Sequence, residues 1–134
     1  APHCTSAENY RNIAADQSHA VFNGRIHIHP HAQKSSADMS NKNLLLSSAA
    51  EIDTKPELEI HAEDVKCAHG ATVGQLNKDS IFYLVSRGIG RKEAVSLLSM
   101  AFINELIEQI PVASVRDTVQ VRLNRFFEQT FEEA

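Results

Sequence analysis

The sequence predicts a mainly β chain with α-helices gathered at its carboxy-terminal end. From His19 to Leu76 the chain reads as short segments rich in branched or alternating side chains. Gly24, Pro30, Asn41, Asn43, Pro56 and Gly70 punctuate them, and no helix-length pattern fits between the breaks. After Asn77 the apolar residues fall instead at the 3.6-residue spacing of helices. The predicted organisation is a strand-rich part, residues 1–77, and a helical part, residues 78–134. The chain has 134 residues and is 43% hydrophobic, enough to bury a core.

In chain order, the strand segments are "HAVF", "RIHIH", "LLLSSA", "LEIHA" and "VKCAH". Many short strands with brief turns fit a sandwich, a barrel or a solenoid, and no clean repeat chooses among them. The first helix has Asp79 as its expected N-cap and Gly88, after Arg87, as its C′ residue. The second places Ala94, Leu97, Leu98, Ala101, Ile103, Leu106 and Ile110 near helical spacing, and Pro111 ends it. The third takes Val115, Val119, Leu123, Phe126, Phe127 and Phe131 as its apolar set.

Composition narrows the function classes. A net charge of −4 gives no basic footprint and argues against a nucleic-acid partner. No run of about 18 apolar residues is present, so no membrane span is expected. Cys4 and Cys67 lie far apart, which suits free thiols in a reducing compartment. The chain opens on Ala1 with no basic-then-apolar leader pattern and reads as a piece of a longer protein. CxxC, HExxH, GxGxxG and the P-loop are all missing from the sequence, so neither dinucleotide binding nor nucleotide hydrolysis is expected of it.

Three groups of residues can carry chemistry. Cys67 and His69 stand two apart, which on a strand puts both side chains on one face, roughly 6.5–7 Å apart. A thiolate and an imidazole at that spacing can converge on one ion, but two ligands do not close a tetrahedral site. From the residues alone two readings stand: half of a metal or cluster site, or a small buried thiol and a histidine in the turn before Gly70. In "RIHIHPH", His27 and His29 share a strand face and suit zinc or copper. A solvated strand face is the plainer explanation of both, as it is of His61, and His31 follows Pro30 out of the strand. Phe82, Tyr83 and Leu84, with Arg87 behind them, read as core packing or as a docking surface.

Longer strings carry a family resemblance. "VFNGRI", "AQKSSADMSNKNLLLSSAAEIDTKPELEI", "DVKCAHGATVGQL" and "IFYLVSRGI" together resemble the carboxy-terminal part of the SufD branch of the SufB/SufD family. That family belongs to the SufBCD iron–sulfur cluster assembly complex. The resemblance implies the end of a right-handed parallel β-helix followed by a small helical domain. It implies a non-catalytic scaffold subunit that pairs with SufB through its β-helix and docks the SufC ATPase through its helices. It further implies a nascent iron–sulfur cluster, held transiently at the SufB–SufD junction, with His69 as a ligand and Cys67 as the weaker candidate. Phe82, Tyr83, Leu84 and Arg87 fall in the docking segment. No cofactor is expected in the isolated fragment, whose exposed strand edges invite self-pairing into a homodimer. The compartment implied is the cytoplasm, or the plastid in a photosynthetic eukaryote. The family pattern gives no role to His27, His29 or His31.

Overall fold

The computed structural model of the chain describes residues 1–132, with side chains through residue 129. Its elements are β1 (Thr5–Ala14), β2 (His19–Ile28), β3 (Ser36–Leu45), β4 (Glu51–Ile60), β5 (Lys66–Gln75), α1 (Lys78–Ser86), α2 (Arg91–Ile107) and α3 (Ala113–Glu132). It is a mixed strand-and-helix chain that divides into two compact units, Ala1–Gly74 and the segment from Gln75 onward.

In the first unit successive strands alternate between two sheets. One sheet has the order β1-β3-β5 and the other β2-β4. β1 and β3 are parallel with Thr5 beside Ser36, and β2 and β4 are parallel with His19 beside Glu51. The Lys66 amide donates to the Ser35 carbonyl at 3.0 Å, as the Ser36 amide does to the Cys4 carbonyl at 2.8 Å. That repetition sets Lys66 beside Ser36, and therefore Cys67 beside Ala37 and His69 beside Met39.

The period-2 alternation of a strand puts one row of each strand between the sheets. Ile26, Ile28, Ala37, Met39 and Ala62 form one buried cluster, with Phe22, Ala32, Val65 and Cys67 packed against it. Ala14, Ala50 and Ile52 form a second, joined by Ala20 and Leu45. Between the two lies a polar ladder. Asn12 donates to Asn43 (2.7 Å), Asn43 donates to Asn41 (2.6 Å) and to the Thr72 carbonyl (2.9 Å), and Thr54 donates to Asn41 (2.7 Å). The amide nitrogen of Asn41 is buried without a partner.

β1 was not anticipated, because its inward row, Ser6, Glu8, Tyr10 and Asn12, carries no apolar alternation. "HAVF" and "RIHIH" are one strand; Gly24 lies inside it, where a Cβ would meet the Met39 sulfur at 2.7 Å and the Phe22 ring at 2.8 Å. Asn41 and Asn43 are core residues of β3 rather than breaks, and "LLLSSA" is mostly the bend after it. Pro56 sits mid-strand in β4. Glu51 and His61 both donate backbone bonds toward β2, so odd residues face that neighbour and the nitrogen of Pro56 faces the open edge. Gly70 is likewise internal to β5, so His69 is a strand residue and not a turn residue.

In the second unit Asn77, not Asp79, caps α1. Its side-chain oxygen accepts from the Asp79 amide (2.7 Å) and the Ser80 amide (3.1 Å), leaving Asp79 inside the first turn. The C-terminus follows the expected pattern: Gly88 at φ +90 follows Arg87. The Gly88 amide bonds the Val85 carbonyl and the Ile89 amide bonds the Leu84 carbonyl. α2 ends at Ile107, short of Pro111, whose ring disfavours helical backbone just before it. Its inward arc carries buried Ala94, Ser99 and Ile107, so Leu97 and Ala101, expected on that face, are exposed. In α3 the row Val119, Leu123, Phe127 faces inward, while Val115 and Phe126 are exposed. Phe131 lies outside the described side chains. Among the described residues no helix is long and apolar enough to cross a membrane.

Candidate functional site

β5 is the last strand of its sheet, and among the described residues the opposing sheet stops at β4. This position decides the surroundings of the Cys67–His69 row. Cys67 is half-buried because it stands beside Ala37 and packs on the cluster around Met39 and Ile26. His69, beside Met39, is exposed, whereas Met39 itself is 1% exposed. The same inward row is therefore closed at β3 and open at β5. Thiol and imidazole share one face, one anchored in hydrocarbon and one free to reach outward. Cys4 is also a free thiol, exposed near the start of the chain.

A second group lies on the outer face of the β2–β4 pair. His27 stands beside Glu59 in the parallel register, and His29 and His61 each follow two residues on. Neighbouring strands are about 4.8 Å apart, so these four side chains form a small lattice. The His27 and His29 rings lie 4.3 Å apart and those of His27 and His61 5.4 Å apart. His61 Nε2 is 3.0 Å and His27 Nε2 3.7 Å from Glu59 Oε1, while Arg25 donates to Glu59 Oε2 at 3.1 Å. The hydrogen bond from His61, then the charges of His27 and Arg25, hold the Glu59 carboxyl below its ordinary range. His31 is exposed in the turn beyond Pro30 and stands apart from this group. Farther along the same face His19 Nε2 meets Asp53 at 2.9 Å, and that hydrogen bond raises the histidine's pKa.

The third group is on α1. Only Ile81 of that helix is buried. Phe82 is 73% and Tyr83 57% exposed, so the core reading of this segment fails for both. Leu84 is half-buried, and the Arg87 guanidinium lies over the Tyr83 ring at 5.2 Å from its centre. A groove of about 480 Å³ beside them is lined by Asn77, Asp79, Ser80, Tyr83, Leu84 and Leu98.

Sequence reasoning found Cys67, His69, His27 and His29 from their i, i+2 spacing. It missed Glu59 and Arg25 and took His61 for a surface residue. The signal was the constant offset of 32 between β2 and β4, which places "IHIH" beside "LEIH". The lack of a recognisable repeat hid it.

The family model described as SUF system FeS cluster assembly, SufBD core domain, matches residues 1–102. The chain belongs to the SufBD family. It is 44% identical over 122 residues to the iron-sulfur cluster assembly protein SufD of Escherichia coli, covering 91% of this chain and 29% of that protein. A SufBD-family iron-sulfur cluster assembly protein of Synechocystis is 45% identical over 115 residues, 86% of this chain and 25% of its own length. The chloroplastic protein ABCI7 of Arabidopsis thaliana is 38% identical over 117 residues, 87% of this chain and 25% of its length. The chain thus spans a quarter to three-tenths of these SufBD relatives, and SufD is the branch to which its resemblance runs.

Proposed function

We propose that this chain is part of a non-catalytic scaffold subunit for iron–sulfur cluster assembly, acting in a SufBCD-type complex. Its two sheets are the last coils of a right-handed parallel β-helix. Strand-to-strand crossovers between parallel neighbours are right-handed in about 98% of cases, which supports that hand. His69 supplies a ligand to the nascent cluster, Cys67 is the weaker second donor, and SufB furnishes the remainder from across the junction. The cluster is cargo, held transiently and passed on. The helical unit docks the SufC ATPase through Phe82, Tyr83, Leu84 and Arg87. The compartment is the cytoplasm, or the plastid where the source is photosynthetic and eukaryotic.

The observation that carries this reading is the exposed imidazole on the end strand. A ligand completed by a second subunit must stand where another chain can reach it, and an i, i+2 thiol partner adds a donor on the same face. Family membership supplies the reaction context. The test replaces His69 with Ala in the full-length subunit and follows cluster formation with SufB and SufC present. Loss of assembly with the complex intact is expected; undiminished assembly removes the ligand role.

A second reading makes the chain a protein-interaction element with no ligand. The exposed Phe82 and Tyr83 favour it, because aromatics presented to solvent beside an arginine resemble interface anchors. It predicts that removing residues 78–134 abolishes ATPase docking while His69→Ala changes nothing.

A further inference from the structure

The outer face of β2 and β4 holds a set of donors that the cluster reading leaves unused. His27 and Glu59 are register neighbours, and His61 follows Glu59 by two residues on the same face. One donor atom from each of the three lies within 4.8 Å of the other two. We propose that His27, Glu59 and His61 bind one divalent first-row transition-metal ion of the zinc class, independently of Cys67 and His69.

The geometry is close to what such an ion requires. Zinc–nitrogen and zinc–oxygen bonds of about 2.0–2.2 Å put two ligands of a tetrahedral site about 3.4 Å apart. The observed 3.0 Å and 3.7 Å from the two imidazoles to Glu59 Oε1 straddle that value. Rotation about side-chain bonds brings the three donors onto one ion with the strands unmoved. The backbone is already set by the parallel ladder, so little ordering remains to be done on binding.

Donor chemistry agrees. Imidazole with carboxylate suits zinc, copper and nickel, whereas calcium and magnesium seek all-oxygen shells. Arg25 holds Glu59 by Oε2, which leaves Oε1 directed at the two imidazoles. Partners of this kind orient a ligating carboxylate in known metal sites. Binding exchanges the His61–Glu59 hydrogen bond for two metal bonds; the proton of a neutral His61 ring moves through solvent from Nε2 to Nδ1, which frees Nε2 to ligate. The His29 ring lies 4.3 Å from that of His27, tilted by 38°, and is not among the three converging donors, so water takes the fourth position. The side chains of His27, Glu59 and His61 are between 36% and 49% exposed, which gives an ion a direct path in.

The probe is zinc chloride, titrated calorimetrically into the metal-free chain. One ion per chain is expected. His27→Ala with His61→Ala should weaken binding at least about a hundredfold, since loss of outer-shell partners alone costs ten- to a hundredfold. Cys67→Ser with His69→Ala should leave it unchanged. Imidazole NMR of the unaltered chain gives an answer that needs no variant to fold: zinc should shift His27 and His61 and spare His69 and His19. The proposal fails if no zinc binds, if the His27/His61 variant binds as the parent does, or if binding follows Cys67 and His69 instead.

Discussion

Two strand faces of this chain present histidine-containing pairs at the same i, i+2 spacing, and they differ in what stands beside them. On β2 a parallel neighbour contributes Glu59 and His61 to the row of His27 and His29, so four side chains gather within one chain. On β5 the neighbour is β3, whose matching residues, Ala37 and Met39, offer no ligand atom of comparable strength, and the far side is open. Strand spacing supplies two donors at most; the lateral neighbour decides whether the set closes within the molecule or needs another chain. The His-His-carboxylate face gathers three donor atoms within one chain, whereas the Cys-His row on the end strand offers two.

The sharpest way to break this contrast is an exchange of readouts. In the full-length subunit with its partners, His69→Ala should abolish cluster assembly, and the His27→Ala, His61→Ala pair should leave it intact. Equal losses from both would mean that the two faces act together and would dissolve the distinction drawn here.

Next in size is a change in the core that both faces share. Met39 is 1% exposed and packs among Ile26, Ile28 and Ala62. Met39→Ala should destabilise the strand unit by about 2–5 kcal/mol, read from the urea midpoint. Zinc affinity of the outer face should hold in the folded protein, because the ligands sit on the other side of the strands. Asn41→Ala should cost less, about 1–3 kcal/mol, because it strands the Thr54 hydroxyl and the Asn43 amide that donate to it. A stability equal to the parent's would show that water replaces the ladder.

The smallest effect sharpens the outer face itself. His19 pairs with Asp53 at 2.9 Å, with the charge of its register neighbour Glu51 adding to the attraction, and forms an ion pair rather than a site. Its pKa is raised first by that hydrogen bond. The pairing therefore stabilises the fold fully below the pKa of the unfolded histidine, about 6.5. That contribution is lost as pH rises through the higher folded value. Asp53→Asn should lower the His19 midpoint in an NMR titration and flatten that part of the pH–stability curve. An unmoved midpoint would deny the pairing in solution.

Much of this was legible in the residues, and the failures have physical causes. The helical end announced itself through spacing and through Gly88, which only a left-handed C′ position requires. The β-rich half was visible as texture, but its strand ends were not. Asn41 and Asn43 read as turns because asparagine in a core is uncommon, and here the ladder that satisfies most of their donors and acceptors is made by residues up to 31 positions away. Gly24 read as a break, although its lack of a side chain admits Met39 and Phe22. The Cys67–His69 row needed only local periodicity and was seen. Glu59 and His61 needed register between strands, which no single segment contains.

Pro56 sets a limit on how far this architecture can grow. A further strand laid against the free side of β4 would meet, at its midpoint, a ring where it needs a donor. β5, "KCAHGATVGQ", has no such obstacle along its length. At this end the two sheets therefore terminate unequally, one blunted by an imino acid and one left receptive, and a strand added beyond β4 and β5 is received by the sheet that carries His69.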